Sequence, residues 1–224
     1  TVVAKPSEIT PATAYLLSQI LDEVNFPKGV LNIVHGTGPG VGEQLVSHPE
    51  VPIISFTGGS ETGKHISRIA APLFKKLSLE LGGKNPNILF ADCDFDTMLS
   101  TTMRSSFANQ GQICLCGSRI LVERPIYDRF VKAFVAKPKQ LRVGPPDQPG
   151  VQIGAVVSQA HRDKILSYIQ LAIDEGGTVE CGGASPTMEG DAKGGFYVNP
   201  TIITGLNMYC RTNQEEIFGP VVTV

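Results

Sequence analysis

The most constraining feature of the sequence is the alternation of short β-branched runs with helical patterns over residues 1–83. Runs such as TVVA, VLNIV and IISF each precede a segment with helical spacing, and the connections between them are short and rich in glycine. Strand–helix alternation with short connections predicts parallel strands joined by right-handed crossovers. We therefore expect residues 1–83 to form part of a Rossmann-like α/β domain.

Individual elements can be placed from the residues that begin and end them. Residues 11–24 carry apolar side chains at helical spacing after Thr10, a candidate N-cap, and Pro11 suits the first helical position. The same criteria predict further helices at 42–47, 60–71, 94–107, 125–136 and 158–175, and strands at 1–4, 30–34, 53–56, 76–81, 87–90 and 118–123.

The character of the chain changes after the Gly82-Gly83 pair. Predicted elements continue to mix strands and helices, but a long amphipathic helix and a glycine-dense region at 176–195 now appear. We expect a second α/β domain over residues 84–224. The chain also starts without Met and ends in GPVVTV, which reads as the inside of a strand, so we expect it to be a piece of a longer protein.

Composition excludes several classes of function. The formal net charge of −2 gives no electrostatic footprint for nucleic acid or an anionic membrane. No apolar run reaches the ~18 residues of a spanning helix. Five scattered cysteines are typical of a reducing compartment rather than a disulfide framework. These observations predict a cytoplasmic protein, with a mitochondrial location still open.

Two glycine-rich turns could bind a phosphate-containing ligand. HGTGPGVG (35–42) and SFTGGSETG (55–63) each link a predicted strand to a predicted helix. Glycines let the backbone approach a bulky ligand, and helix N–H groups favour anions. The first turn lacks the G-x-G-x-x-G spacing and could be an ordinary tight turn. Two such turns at the carboxyl ends of parallel strands favour a ligand site more than either does alone.

Charged residues at strand ends suggest partners for that ligand. Lys5 and Glu8 follow the first strand, where an acidic residue commonly binds ribose hydroxyls and repels a 2′-phosphate. A solvated turn is the simpler alternative for this segment. Glu80 lies inside an apolar strand just before two glycines, which suggests a cleft where partial desolvation would raise the pKa of its carboxyl group toward that of a useful base.

The segment SSFANQGQICLCGSR (105–119) carries two cysteines, Cys114 and Cys116, separated by one residue. A metal clip would need a second cysteine pair or a nearby histidine, and the sequence offers neither. Two inert buried thiols remain an alternative. The bracketing glycines, Gly111 and Gly117, instead favour a thiol presented on a turn near a helix terminus, where thiolate character is promoted.

Taken in order, six segments resemble the aldehyde dehydrogenase family: AKPSE, GTGPGVG, FTGGSETG, LELGGKNP, FANQGQICLCGSR and EEIFGPV. The resemblance covers essentially the whole chain. It implies an α/β fold in which residues 1–83 are the C-terminal part of an NAD-binding domain and residues 84–224 a catalytic domain truncated at its C-terminus.

The resemblance also implies roles for individual residues. Cys114 would be the nucleophile, Glu80 the general base and Cys116 a non-essential neighbour. Lys5 and Glu8 would hold the adenosine ribose, favouring NAD over NADP. The remaining residues expected to bind the cofactor are Gly38, Gly42, Thr57, Gly58, Gly59, Gly63, Leu81, Glu216 and Phe218. Gly59 stands where relatives usually carry serine.

The implied reaction is NAD-dependent oxidation of an aldehyde to a carboxylic acid through a thiohemiacetal and a thioester. The oxyanion would be stabilised by the Cys114 backbone N–H and by an asparagine that relatives carry upstream of these residues. Without that asparagine, we expect the 224-residue chain alone to be incompletely folded and inactive. The parent protein is expected to form a homodimer or homotetramer.

Within the family, the cysteine segment, VERPIYDRF and VGPPDQP look most like 2-aminomuconate and 2-hydroxymuconate semialdehyde dehydrogenases, which act in tryptophan or aromatic-ring breakdown. Specificity for aliphatic, retinal or betaine-type aldehydes is the alternative. A coenzyme A-acylating dehydrogenase should lack Glu80, and a non-catalytic relative could lack Cys114. Both residues are present.

Overall fold

The computed structural model describes all 224 residues and divides them into two compact units, Thr1–Gly82 and Gly83–Val224. The division falls at the Gly82-Gly83 pair, one residue before the domain boundary expected from the sequence. The identity of the units as nucleotide-binding and catalytic domains stays a prediction. No helix in the chain has the length and apolar character needed to cross a membrane.

The first unit alternates strands and helices as expected. Its elements are β1 (Val2–Ala4), α1 (Ala12–Glu23), β2 (Leu31–Ile33), α2 (Glu43–Ser47), β3 (Ile53–Gly58), α3 (Ser60–Ala70) and β4 (Lys76–Leu81). The helix predicted over 42–47 is preceded by a π-helical turn, Gly38–Gly42, whose start is capped by the Thr37 hydroxyl accepting from the Gly40 N–H at 3.1 Å.

Strand pairing in this unit is parallel but not continuous. β1 pairs with β2 and β3 with β4, and no ladder joins the two pairs. The expected parallel strands are therefore present, but as two separate pairs. Strand pattern specifies which face is apolar, but it does not specify which neighbour a strand will pair with.

The apolar centre of the first unit lies between α2, α3 and the β3–β4 pair. Its buried side chains are Val46, Ile54, Ile66 and Ala70. Gly63 allows α3 to approach β4, because a Cβ at this position would lie 2.6 Å from Leu81 Cδ2. This contact gives Gly63 a packing reason to be glycine, besides any part in binding a ligand.

The second unit is built around a five-stranded sheet with the order β5-β6-β11-β10-β9, parallel except for β9. Its elements are β5 (Pro86–Leu89), α4 (Phe95–Phe107), β6 (Arg119–Val122), α5 (Tyr127–Ala136), β7 (Arg142–Val143), β8 (Val151–Ile153), α6 (Gln159–Asp174), β9 (Thr178–Cys181), β10 (Thr201–Thr204), α7 (Arg211–Gln214) and β11 (Val221–Thr223).

Two apolar clusters fill this second unit. One gathers α4, α5 and the sheet around Phe107, Phe130 and Phe134, the other packs α6 against β10 and β11. Strand β10, which lies beside the central strand β11, is buried along its whole length and was not predicted, although its β-branched sequence TIIT carries the signal. β11 lies at 221–223, as the sequence predicts. The sheet thus brings the segment before β11 beside the loop before β6.

Candidate active site

The loop that carries Cys114 begins with an unusual backbone. After α4 ends at Phe107, Asn109, Gln110 and Gly111 all adopt left-handed conformations, with φ of 48°, 56° and 68°. Such residues cost free energy unless the surrounding structure holds them, and they concentrate at functional sites. Gly111 has a second reason to be glycine, because a Cβ there would collide with the Gly219 carbonyl group.

The two cysteines of this loop have opposite environments. Cys114 is exposed, whereas Cys116 retains only 8% of its surface. Burial, followed by the proximity of Cys114, raises the pKa of the Cys116 thiol above its ordinary value. Since the thiolate is the nucleophile, Cys116 is both hidden and hard to ionise at neutral pH. Cys114 is thus the thiol of the pair that a substrate can reach.

Asn85, the third residue of the second unit, holds the cysteine loop in place. Its side-chain N–H₂ donates to the Cys114 carbonyl and, at 3.3 Å, to the Cys116 carbonyl. The loop is closed on its other side by Gly117, whose N–H donates to the Ser105 hydroxyl at 3.1 Å. The Cys114 backbone N–H has no hydrogen-bond partner within the protein, so it remains free to donate to a bound oxyanion.

Two side-chain amides near the cysteines have hydrogen-bond partners in the chain. Asn109 Nδ2 donates to the Gln112 carbonyl at 3.1 Å. The side chain of Gln112 in turn accepts from the Val157 N–H at 3.1 Å. These bonds tie the loop to the segment that precedes α6, and they therefore stiffen it.

The segment around Glu216 faces the cysteine loop. The two segments line a common pocket of about 10 Å³. Its lining residues are Gly83, Asn85, Gly111, Ile113, Cys114, Cys116, Ser118, Glu216, Ile217, Phe218, Gly219 and Val221. This volume is room for about one water-sized group. The Gly83 N–H donates to Glu216 Oε1 at 3.2 Å. The structure thus brings together three of the sequence-predicted site residues: Cys114, Glu216 and Phe218.

Helix α6 holds this segment from behind. His161 Nε2 contacts the Phe218 carbonyl at 2.6 Å, and Lys164 Nζ donates to the Glu216 carbonyl at 3.1 Å. Burial lowers the pKa of His161, which favours a neutral ring that donates its Nε2–H to Phe218. Phe218 itself has a left-handed backbone, with φ of 61°, so the histidine supports a strained residue.

Glu215, the first carboxylate of EEIFGPV, has a structural role. It accepts from Arg211 at 2.8 Å and from the Tyr168 hydroxyl at 2.6 Å. The Arg211 and Tyr168 hydrogen bonds lower the pKa of Glu215 to about 2. The two adjacent glutamates therefore have different surroundings. Glu215 forms an ion pair with Arg211, and Glu216 lines the pocket.

The ammonium group of Lys84 lies close to the same region without a hydrogen-bond partner. Burial, followed by repulsion from Arg119, lowers the pKa of Lys84 to about 8. Arg119 donates to the Lys84 carbonyl at 3.1 Å and to the Asn213 carbonyl at 3.3 Å. A buried amine that can lose its proton near neutral pH was not anticipated from the sequence.

The first unit contains a cavity of about 870 Å³. It is lined by Lys5, Glu8, Gly38 and Gly42, all predicted cofactor residues, and by an apolar wall that includes Val46, Val51, Ile54, Ile66 and Ile69. The size is that of a site for a bulky organic ligand. The structure therefore gathers four sequence-predicted residues around one cavity.

Lys5 and Glu8 form a fixed pair in this cavity. Lys5 Nζ donates to the carbonyls of Pro6, at 2.7 Å, and Gly36, at 3.2 Å, and lies 3.4 Å from Glu8 Oε2. Backbone N–H groups of Glu8 and Gly38, and then Lys5, lower the pKa of the Glu8 carboxyl group. Glu8 is thus held as an anionic hydrogen-bond acceptor.

Glu80 lies where its strand predicts but not in the expected environment. In the β3–β4 ladder Thr57 pairs with Glu80 and Gly58 with Leu81, and Gly59 directly precedes α3. Strand β4 alternates, so Leu79 and Leu81 are partly buried and Glu80 is exposed. The desolvation expected of Glu80 is therefore absent from this chain, and that expectation is corrected.

Comparison with known proteins identifies the family to which the chain belongs. The chain matches the aldehyde dehydrogenase family over residues 1–224. The chain belongs to the aldehyde dehydrogenase family. It is 51% identical to human 2-aminomuconic semialdehyde dehydrogenase and 49% identical to 2-hydroxymuconic semialdehyde dehydrogenase of Pseudomonas sp. (strain CF600). These matches cover 100% and 98% of this chain and 46% of each relative.

A solved aldehyde dehydrogenase structure agrees with the fold. Betaine aldehyde dehydrogenase from Staphylococcus aureus, in complex with NAD+, superposes with a TM-score of 0.96 at 44% identity, covering 100% of this chain and 44% of that one. This result confirms the α/β aldehyde dehydrogenase fold. The chain spans about half the length of the curated relatives it matches.

Several residues with clear structural roles in this chain were missed by sequence reasoning. They are Asn85, His161, Lys164 and Lys84, each defined by a contact with, or burial beside, the cysteine loop or the Glu216 segment. Only Asn85 carried a usable signal, since it directly follows the LELGGK segment. The other contacts join residues more than 50 positions apart, or depend on burial.

Proposed function

We propose that the protein is an NAD-dependent aldehyde dehydrogenase that oxidises an aldehyde to a carboxylic acid, with Cys114 as its nucleophile. The observation that carries the proposal is the exposed Cys114 thiol in a pocket shared with Glu216. It occurs on a chain about half identical, over its whole length, to semialdehyde dehydrogenases.

The residues of the first unit fit a dinucleotide. A strand-end carboxylate held anionic, such as Glu8, suits ribose hydroxyls and repels a 2′-phosphate, which favours NAD over NADP. A Cβ at Gly38 or Gly59 would meet no atom within 4 Å, so the backbone is open to a ligand at both positions. The other residues of this unit that we propose to bind the cofactor are Thr57, Gly58, Gly63 and Leu81. In the second unit, the residues proposed to bind the cofactor are Glu216 and Phe218.

Cys114 supplies the covalent step. Its thiolate adds to the aldehyde carbonyl, forming a carbon–sulfur bond and a thiohemiacetal oxyanion. The free Cys114 N–H is suited to donate to that oxyanion. NAD, when bound, accepts the hydride that leaves the carbonyl carbon. The product held on Cys114 is a thioester, so the acid remains attached until water releases it.

Glu80 is proposed to act on that water. A carboxylate removes a proton from water as the water attacks the thioester, and the carbon–sulfur bond then breaks to regenerate the thiolate. Glu80 carries a carboxylate on the exposed face of β4. Its presence favours hydrolysis over transfer of the acyl group to coenzyme A.

The proposed substrate is a muconic semialdehyde, a small aldehyde that also carries a carboxylate. The support is the group of relatives at 47–51% identity named for 2-aminomuconic and 2-hydroxymuconic semialdehydes. The second candidate is a betaine-type aldehyde, supported by 43% identity to betaine aldehyde dehydrogenase of Bacillus subtilis. A homo-oligomer in the cytoplasm completes the proposal, and five free cysteines suit a reducing compartment.

A kinetic panel on the full-length protein tests the proposal. NADH formation should be fastest, by kcat/KM, with 2-aminomuconic or 2-hydroxymuconic semialdehyde, slower with betaine aldehyde and slower still with propanal. Equal or better turnover of the last two would overturn the substrate assignment. No NADH formation with any aldehyde would overturn the activity itself.

A further inference from the structure

A second carboxylate lies beside the proposed ribose site and is unused by the reaction. Glu43 begins α2 and lines the same cavity as Lys5 and Glu8. Its Oε2 contacts His65 Nε2 of α3 at 2.7 Å. Its Oε1 has no hydrogen-bond partner in the protein, so one acceptor oxygen of the pair is free to face a ligand.

The position of Glu43 is fixed relative to the ribose pair. A Cβ at the preceding residue, Gly42, would lie 3.6 Å from Lys5 Cε. Glu43 is therefore one residue from the point where the Lys5 side chain meets the π-helical turn. A nucleoside whose ribose binds Lys5 and Glu8 places its base within this same cavity, against the apolar wall.

We propose that the Glu43–His65 pair recognises the base edge of the dinucleotide and selects a 6-aminopurine over a 6-oxopurine. The inference rests on the proposed function, because it takes Lys5 and Glu8 as the ribose site. A carboxylate oxygen accepts from an exocyclic amino group and repels an exocyclic carbonyl group. His65 is a positioning residue: it holds Oε2 and leaves Oε1 as the unpaired acceptor of the carboxylate.

The chemistry of the cavity supports this assignment over simple apolar binding. The walls at Val46, Ile54 and Ile66 accept any flat purine, since a planar apolar surface does not distinguish the substituent at position 6. Discrimination between an amino and an oxo group requires a polar partner of fixed hydrogen-bonding type. Glu43 is an acceptor only, which makes it selective where an amide side chain would not be.

Binding of two dinucleotides to the full-length protein tests the proposal without relying on turnover. Calorimetry with NAD and with nicotinamide hypoxanthine dinucleotide, which carries a 6-oxo group, should show NAD bound about tenfold more tightly. In Glu43→Gln the ratio should fall to near one, because the amide can accept from an amino group or donate to an oxo group. His65→Leu should lower the ratio by roughly threefold, as the carboxylate loses its anchor.

Glu61→Gln is the matched control. Glu61 is a carboxylate on the lining of the same cavity, paired with Lys64 at 2.6 Å. Its removal changes the local charge as much as Glu43→Gln does, yet the ratio should stay near that of the wild type. Equal wild-type affinity for the two dinucleotides, or a ratio unchanged in Glu43→Gln, would overturn the inference and leave the proposed function standing. Binding of neither dinucleotide would overturn both.

Discussion

Gly111 offers a direct test of how the cysteine loop is built. It has φ of +68°, and a Cβ at this position would meet the Gly219 carbonyl of the Glu216 segment. Gly111→Ala should therefore incur two costs. The left-handed backbone costs alanine about 1 kcal/mol. Displacing a packed backbone carbonyl adds roughly 1–3 kcal/mol.

Gly150→Ala separates the two costs. Gly150 belongs to the same unit and has φ of +79°, but a Cβ there would meet no atom within 4 Å. Gly150→Ala should therefore incur only the free-energy cost of a left-handed backbone at alanine. Gly111→Ala should thus be less stable than Gly150→Ala by roughly 1–3 kcal/mol. For a chain of this size, that difference corresponds to about 2–12 °C in Tm.

Chemical denaturation of the full-length variants, followed by circular dichroism, measures the difference. The rate of Cys114 alkylation by iodoacetamide adds a local readout, and it should change in Gly111→Ala and not in Gly150→Ala. Equal midpoints and equal alkylation rates for the two variants would refute the reasoning, because the close approach to Gly219 would then have no energetic consequence.

Three further predictions concern the same unit. Cys114→Ser should abolish aldehyde oxidation while the Kd for NAD, measured by calorimetry, changes less than about threefold; residual turnover within tenfold of the wild type would exclude Cys114 as nucleophile. Asn85→Ala should expose Cys116, which is buried in the wild type, to labelling by a thiol reagent in the native state, since Asn85 no longer holds the two loop carbonyls; continued protection of Cys116 would contradict this. Lys84 has its pKa lowered to about 8 by burial, so the folded protein binds fewer protons than the unfolded chain between about pH 8 and 10.5, and the contribution of Lys84 to stability should rise with pH across that window. Lys84→Met should remove this rise and increase the free energy of unfolding at pH 7 by roughly 1–3 kcal/mol; denaturation at pH 7 and pH 10 measures both, and an unchanged pH dependence would contradict the assignment.

Local features of the fold could be predicted from the sequence because their causes are local. The helix predicted over 94–107 is present as α4, because the Asp94 carboxylate caps it by accepting from the Thr97 N–H at 2.8 Å. The long helix predicted over 158–175 is present as α6 and is capped in the same way by Ser158. Both caps are short polar residues directly before a periodic segment, which is a signal readable without the fold.

The exposure of Glu80 follows from the alternation of its strand. In LSLEL the leucines at 77, 79 and 81 alternate with Ser78 and Glu80, and a strand turns alternate residues to opposite faces. Glu80 therefore shares the exposed face with Ser78. The glycine pair that follows predicts a cleft, whereas the alternation predicts an exposed face, and the structure agrees with the alternation.

The pairing of strands and the supports of the site could not be predicted, because they are properties of distant residues. Nothing in VLNIV or IISF indicates that β2 and β3 belong to separate pairs. The contact of His161 with the Phe218 carbonyl joins positions 57 residues apart. Only the assembled unit determines that this histidine is buried, and hence that its pKa is lowered.

The two cysteines show how one residue type acquires two environments within three positions. Gly117, which follows the buried Cys116, packs so closely that a Cβ there would lie 2.8 Å from the Ser105 hydroxyl and 3.0 Å from Asn87 Cβ. Asn85 binds the carbonyls of both cysteines, so their peptide groups are fixed on one side of the loop. The carbonyl of Cys114 is held by Asn85, whereas its N–H has no partner in the chain and the residue is exposed. A thiol and a free N–H are the two groups that thiol addition to a carbonyl requires, whereas burial withholds both accessibility and ionisation from Cys116.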